Sequence, residues 1–311
     1  MYLSIDIGAS FIKHALMDQL GNIITKGKRP MKSTHLLAFE NELYSIIESH
    51  ELDNIQGIAI SCPGTIDVHT GVIYYGGYLT FLHKVNLVEK IESKFNIDVS
   101  IENDGKCAAH AELWQGSVKD ARNSIVLVLG SGVGGGIIID GKVYRGVNFS
   151  AGEVSYVTHH FDPDTRKGEY VGFTCSAVDM VEEIGEMKQL DHPTDGEKVF
   201  EYMNQNDPEA MAVFDRYCLM LANQIMNLQY ILDPEVIAIG GGISAQPILI
   251  ERIHWAIGQV KKGMPAILTN LNKVEPKVVP CEFRNDANLY GALYNFLVSK
   301  EKNGGIYNDT K

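Results

Sequence analysis

The chain has 311 residues, 45% of them hydrophobic, and a formal net charge of -12. That length suits one large or two ordinary domains, with a core that needs no disulfide or metal staple. The acidic balance argues against a nucleic-acid partner or an anionic membrane surface, since both require a basic face; it leaves room for a nucleotide, whose phosphates a few backbone amides can hold.

The five cysteines are odd in number and form no CxxC pair, which fits a reducing cytoplasm rather than a disulfide framework. The opening Met1-Tyr2-Leu3-Ser4-Ile5-Asp6 lacks the basic and apolar regions of a secretory leader. The most apolar stretch, residues 125–139, is interrupted by five glycines and is too short to span a bilayer.

In chain order, Tyr2–Ile7 and Phe11–Met17 read as strands, and Gly21-Asn22 as a turn before residues 23–26. Residues 36–49 place Leu36, Leu37, Phe39, Leu43, Ile46 and Ile47 at helical spacing. Residues 55–61 form an apolar strand closed by Cys62-Pro63-Gly64; a helix over 85–95, a strand over 99–101 and a helix over Asp104–Trp114 follow. A second unit opens with strand Ser124–Leu129, a glycine loop over 130–136 and a returning strand over 136–139. Asp140-Gly141 is a hairpin signal before 143–145. Helical patterns run over 176–190, 195–204 and 208–232; then come a strand at 236–239, Gly240-Gly241-Gly242, a helix over 245–262, a strand at 278–281 and a last helix over 287–299. Strand, glycine turn, strand, turn, strand and then helices occur twice. The repeat predicts a duplicated βββαβα fold: domains over 1–118 and 119–285, a seam near 117–123, a cleft between them, a final helix over 286–299 returning to the first domain, and a mobile tail over 300–311.

Five segments carry chemistry. In Asp6-Ile7-Gly8-Ala9-Ser10 a carboxylate ends a strand and a tight turn follows; the turn can approach a phosphate and Asp6 can hold magnesium through water, or the segment is an ordinary hairpin. Gly130, Gly132 and Gly135 satisfy a GxGxxG pattern, but Ile137-Ile138-Ile139-Asp140-Gly141 follows as strand and turn where a dinucleotide fold requires a helix. The loop, with Ser131, Val133 and Gly134, is therefore read as a phosphate contact between two strands. Gly241 and Gly242 stand where an adenine or ribose could lie against backbone, or simply turn a strand into a helix. Asp104, in Glu102-Asn103-Asp104, starts a small-residue helix whose N-terminus favours a carboxylate; it is an N-cap, a general base for a hydroxyl, or both. Glu153, in Ser150-Ala151-Gly152-Glu153, is a candidate acceptor for hydroxyl groups or a solvated loop residue.

Taken together and in this order, Asp6-Ile7-Gly8, Cys62-Pro63-Gly64-Thr65-Ile66-Asp67 with Gly71, Glu102-Asn103-Asp104, Leu129 to Gly136, Gly152-Glu153 and Ile239 to Gly242 resemble the ROK family of sugar kinases, of the hexokinase, actin and Hsp70 superfamily. The resemblance covers nearly the whole chain. It implies two actin-like (ribonuclease H-like) α/β domains, ATP, magnesium, a hexose or hexose derivative phosphorylated at its 6-hydroxyl, and a homodimer. It implies Asp104 as general base, with Asn103 and Glu153 on sugar hydroxyls. Gly64, Thr65, Gly77 and Tyr78 line the sugar, and Asp6, Gly8, Ala9, Ser10, Gly130, Ser131, Gly132, Val133, Gly134, Gly241 and Gly242 the nucleotide.

The chain departs from the family where Tyr156 stands in place of a histidine, offering a stacking face for a bound sugar ring, and where the cysteine-rich zinc segment is reduced to Cys175. No structural zinc is expected; His159 and His160 read as a solvated pair rather than remnant ligands with Cys175. The family's second sugar glutamate has no clear counterpart. These features resemble the zinc-free, β-glucoside kinase-like members, and the aromatics of Tyr74-Tyr75-Gly76-Gly77-Tyr78 suit a glucoside ring or ordinary loop packing. The alternative reading is a non-catalytic sugar sensor of the same fold. The first strand starts at Tyr2, which leaves no DNA-reading segment ahead of it, and a retained Asp104 argues for catalysis. A chaperone or filament ATPase fits the Pro63-Gly64 and Glu102-Asn103-Asp104 segments poorly.

Overall fold

Apolar alternation builds β1 (Tyr2–Ile7), β2 (Phe11–Met17) and β3 (Ile23–Pro30) into an antiparallel meander. Helix α1 (Leu36–Glu48) buries Phe39, Leu43, Ile46 and Ile47 along one stripe and leads to β4 (Gly57–Cys62), which pairs parallel to β1. The short β5 (Thr65–Asp67), β6 (Val72–Tyr74) and β7 (Val85–Asn86) make a sheet of their own. Where the sequence predicts one helix over 85–95, the first two residues are strand. Asn86 is the reason: its side chain accepts from the Glu89 amide and caps α2 (Leu87–Phe95). Then β8 (Val99–Asn103) passes directly into α3 (Asp104–Trp114).

The pattern repeats in β9 (Ser124–Leu129), β10 (Val133–Ile139) and β11 (Lys142–Tyr144), with Asp140 and Gly141 both at positive φ in the hairpin turn. A hairpin of β12 (Thr158–Asp162) and β13 (Lys167–Tyr170), absent from the sequence reading, is polar and largely exposed, so it carries no apolar period. Helices α4 (Val171–Thr174), α5 (Ala177–Met187), α6 (Gly196–Asn204) and α7 (Pro208–Leu232) precede β14 (Val236–Gly241). Then come α8 (Pro247–Gly263), α9 (Ala266–Leu271), β15 (Val278–Pro280) and α10 (Ala287–Gly304).

The computed structural model describes residues 1–271 and 274–304. The tail expected from 300 onward begins as the last turn of α10, and its remainder lies outside the described residues. The two main sheets have the orders β3-β2-β1-β4-β8 and β11-β10-β9-β14-β15. These are one strand order used twice, the duplicated actin-like α/β fold.

The chain divides into two units. Unit 1 takes Met1–Gln115, Arg145–Ala151 and everything from Asp286 on; unit 2 takes Gly116–Tyr144 and Gly152–Asn285. The seam thus falls just before the expected 117–123, α10 belongs to unit 1, and residues 145–151 join unit 1 from within the expected second domain. Helix α10 packs on α3, β1 and β4. Gly291 makes that approach possible, because a side chain there would collide with the Cys107 carbonyl.

Candidate active site

In unit 1 the parallel strands β1, β4 and β8 end side by side at Ile7, Cys62 and Asn103. The carboxyl ends of parallel strands are where open α/β sheets bind ligands. The registers Lys13↔Asp6, Asp6↔Ser61 and Ser61↔Glu102 place one polar row across four strands. Residues paired in this way share a sheet face. Asp6 is nearly buried and its carboxylate is held from three sides. Oδ1 accepts from Ser61 Oγ at 3.1 Å and from Asn288 Nδ2 of α10 at 3.0 Å, and Oδ2 accepts from Lys13 Nζ at 3.2 Å. The buried Cys62 thiol is pushed well above its ordinary value, first by burial and then by the charges of Asp104 and Asp6. Both carboxylates therefore act on this one strand end.

Asn103 and Asp104 straddle the junction of β8 and α3. Asn103 is the N-cap, its Oδ1 accepting from the Lys106 amide at 3.1 Å. Its Nδ2 donates to Gly64 O at 2.9 Å and to Asp104 Oδ1 at 3.0 Å, and the Gly105 amide donates to that same oxygen at 2.8 Å. Asp104 is thus the first helical residue, the cap itself being Asn103. Its carboxylate is oriented by two donors while remaining partly exposed, an arrangement suited to taking a proton from a bound hydroxyl.

Beneath this pair lies Glu102, 1% exposed. Its Oε1 accepts from the Asn103 amide at 2.8 Å and its Oε2 from Arg145 Nε at 2.6 Å, with His110 Nε2 3.7 Å from Oε2. Arg145 also donates through Nη2 to Asn295 Oδ1 at 2.8 Å. Burial pushes the Glu102 carboxyl up, but His110, Arg145 and the Asn103 amide outweigh it and hold the group below its ordinary range.

Gly64, with φ at +105°, faces the Tyr75 carbonyl and Gly76 so closely that a side chain would collide. Thr65 pairs with Tyr74 across β5 and β6. The segment carrying Gly77 and Tyr78 therefore runs beside the backbone that holds Asn103. Within it Tyr75 stacks on His83 at 4.6 Å, donating its amide to His83 Nδ1. Tyr75 and Tyr78 are 74% and 81% exposed, so of the two readings the aromatics are a presented surface rather than loop packing.

In unit 2 the glycine loop is shorter than the sequence implies: only Gly130–Gly132 turn, while Val133 and Gly134 to Gly136 pair with β9. Packing explains the glycines in the strand. A Cβ at Gly135 would stand 2.6 Å from Val126 O, and one at Gly152 would stand 3.2 Å from Gly135 O. Bare backbone lets the Gly152-Glu153 segment lie against β10. Ser155 Oγ accepts from the Val133 amide at 2.9 Å, passing close to Gly132. Glu153 opens a 3-10 turn over Val154–Tyr156, and Tyr156 is 77% exposed. Ser131 is exposed, and the Gly130 carbonyl accepts from the first amides of α5, Ala177 and Val178. Gly241, at φ +97°, packs onto Leu129, and Gly242 starts a 3-10 turn. Ala9 and Ser10, in unit 1, are exposed in the turn beside Gly8, whose amide donates to Phe11 O at 3.0 Å.

His159 and His160 are not a solvated pair. His159 is half-buried, with Nε2 3.7 Å from Cys175 Sγ and Nδ1 3.1 Å from Asn223 Nδ2; only His160 is exposed. Burial raises the Cys175 thiol to about 12. Among the described residues no three His, Cys, Asp or Glu side chains gather as a metal cage.

The sequence reading missed Lys13, Ser61, Arg145, Ser155 and Asn288. Lys13 was open to register counting, since Ile7↔Ile12 around the first turn puts Lys13 opposite Asp6. Asp6, implied as a holder of magnesium through water, already accepts from protein donors at both oxygens, from Ser61 and Asn288 at Oδ1 and from Lys13 at Oδ2.

The ROK family model matches residues 2–299. The chain is 29% identical to a β-glucoside kinase of Listeria innocua, over 96% of this chain and 97% of that protein. It is 31% identical to a β-glucoside kinase of Listeria monocytogenes, over 81% of this chain and 83% of that one. A ROK family protein from Streptococcus pneumoniae, solved in complex with sucrose, superimposes with a TM-score of 0.82 at 28% identity, over 96% of this chain and 99% of that chain. This chain belongs to the ROK family.

Proposed function

We propose that this protein is an ATP-dependent sugar kinase that phosphorylates a hexose, an N-acetylhexosamine or, on the reading favoured here, a β-glucoside, at the 6-hydroxyl. The observation that carries the reading is the Asn103–Asp104 pair: a carboxylate at a parallel strand's carboxyl end, fixed by the Gly105 amide and by an asparagine anchored on Gly64. Asp104 accepts the hydroxyl proton as the sugar oxygen attacks the γ-phosphorus of ATP; the bond to the bridging oxygen breaks and ADP leaves. Asn103 and Glu153 hold sugar hydroxyls, and the Gly8 and Gly130–Gly132 turns offer backbone to the nucleotide. Gly241 and Gly242 give its base or ribose a place without side chains. Magnesium enters with ATP, as is usual for kinases.

Three things favour a β-glucoside: the exposed aromatics Tyr75 and Tyr78 on the strip beside Gly64, the exposed Tyr156, and the β-glucoside kinases among the relatives. An aromatic face takes the second ring of a glucoside well. The described free cysteines are buried and none of the described helices is long and apolar enough to cross a membrane. We place the enzyme in the cytoplasm, as the homodimer that the family resemblance suggests and with no nucleic-acid partner.

The test is sugar-dependent ADP release across a panel of glucose, N-acetylhexosamines, fructose and β-glucosides, with Asp104→Asn as control. Asp104→Asn should lower kcat by about 10²–10⁴-fold. Near-normal turnover in that variant would remove Asp104 from the chemistry, and sugar binding without ADP release in the parent enzyme would favour the sensor reading.

A further inference from the structure

We infer that Ser155 is a positioning residue that couples nucleotide binding to sugar binding within unit 2. Its hydroxyl joins the Gly130–Gly132 turn to the 3-10 turn beside Glu153, so that filling one prepares the other. The inference rests on the kinase reading above and deepens it.

Strand β10 pairs with β9 from Val133 onward, but β11 covers its other edge only at residues 137–139. Val133 is 1% exposed, and a buried N–H and C=O left without partners are costly. One hydroxyl serves both. Ser155 Oγ accepts from the Val133 amide at 2.9 Å and donates to the Val133 carbonyl at 3.1 Å. It stands in for the missing strand at the residue that ends the glycine turn. The other end of the turn is pinned as well, since the Gly130 carbonyl accepts from the Ala177 and Val178 amides at 2.9 and 3.3 Å. Ser131 and Gly132 hang between these two pins, so their placement follows Ser155.

On its own segment Ser155 sits between Val154, which is buried in the core of unit 2, and the exposed Tyr156. The Tyr156 amide donates to the Glu153 carbonyl at 3.2 Å, which closes the turn around Ser155. Hydroxyl groups held at Glu153, or a ring laid on Tyr156, therefore act on backbone within two residues of the Val133 bonds. The side chain is also wedged. A Cβ at Gly172 would stand 3.0 Å from both Cβ and Oγ of Ser155, and one at Gly132 would stand 2.9 Å from that Oγ. Close packing on both sides passes a displacement on rather than absorbing it. A ligand that orders one turn thus removes part of the ordering cost of the other, and the coupling is positive and reciprocal. A hydroxyl that merely satisfied a strand edge would leave the two bindings independent.

The experiment measures sugar affinity by calorimetry, with and without a saturating non-hydrolysable ATP analogue and magnesium. The sugar is the best acceptor of the panel above, cellobiose on the β-glucoside reading. The parent enzyme is compared with Ser155→Ala, which removes the hydroxyl but keeps the Cβ beside Gly172, and with Gly172→Ala, which keeps the hydroxyl but pushes Ser155 from its place. Circular dichroism checks the fold of each. The analogue should tighten sugar binding about fivefold or more in the parent and less than about twofold in both variants, while sugar affinity without nucleotide stays within about threefold of the parent. Titrating the analogue with and without sugar should return the same factors. The inference is overturned if the parent shows no coupling, or if a folded Ser155→Ala keeps the parent's factor. Should Ser155→Ala fail to fold, Gly172→Ala decides by the same criterion. Absence of sugar-dependent ADP release in the parent enzyme would instead strike at the kinase reading itself, because the coupling is measured without turnover.

Discussion

At the scale of single residues, the interaction with the largest stake in unit 1 is the one between Glu102 and Arg145. Glu102 is 1% exposed and bonded to the Asn103 amide, so it supports the backbone from which Asp104 projects. Taking away its guanidinium leaves a buried carboxylate with a weaker set of donors, and such losses cost about 3–5 kcal/mol. Arg145→Met should therefore lower the unfolding free energy, read from urea denaturation, by an amount in that range, and Arg145→Met/Glu102→Gln should recover part of it because the stranded charge is gone. Because the folded protein holds the Glu102 carboxyl below its ordinary 4.5, the group stabilises the fold above that value, and this contribution is lost as the pH falls through the lower folded one. Glu102→Gln should accordingly flatten the acid limb of a stability-against-pH curve measured with urea. An unchanged limb would show that other carboxylates govern acid unfolding. Local signals carried Asp104, Asn103 and Gly64, because a cap, a strand end and a Pro-Gly turn announce themselves within a few residues. Arg145 lies 43 residues from Glu102, and Asn288 lies 282 residues from Asp6. No local pattern reports either contact.

Elements follow the same logic. The succession of strands was legible because short apolar runs are separated by turns with residues that tolerate positive φ, Gly21 in the first meander and Asp140-Gly141 in the second. The β12–β13 hairpin was not, since its faces are both largely in water and nothing forces a period on them. Glycines misled in the other direction. Gly134 and Gly135 read as part of a glycine loop but are strand, kept bare so that Gly152 can lie on Gly135. Gly135→Ala puts a methyl 2.6 Å from Val126 O, so β9, β10 or the Gly152-Glu153 segment must move. The expected result is a loss of about 1–3 kcal/mol in stability, with a raised sugar KM if Glu153 holds hydroxyl groups. Stability lost without any change in KM would detach Glu153 from the sugar.

For the molecule as a whole, the absence of a cysteine cluster in unit 2 bears on how that unit is held together. A chelator selective for zinc should leave the thermal midpoint unchanged, because the core around Phe214, Leu221 and Ile225 is apolar and His159 has Cys175 and Asn223 as neighbours. A falling midpoint would reveal a structural metal. Unit 1, by contrast, is sewn from both ends of the chain: α10 covers β1 and β4, and Asn288 completes the donor set of Asp6. This has a consequence for synthesis. A ribosome making the protein releases β1 first and α10 last, so the earliest strand waits for the latest helix. Messages cut short before residue 286 would yield polypeptides in which β1 and β4 stay uncovered and Asp6 has lost its Asn288 donor, however well the middle portion had folded.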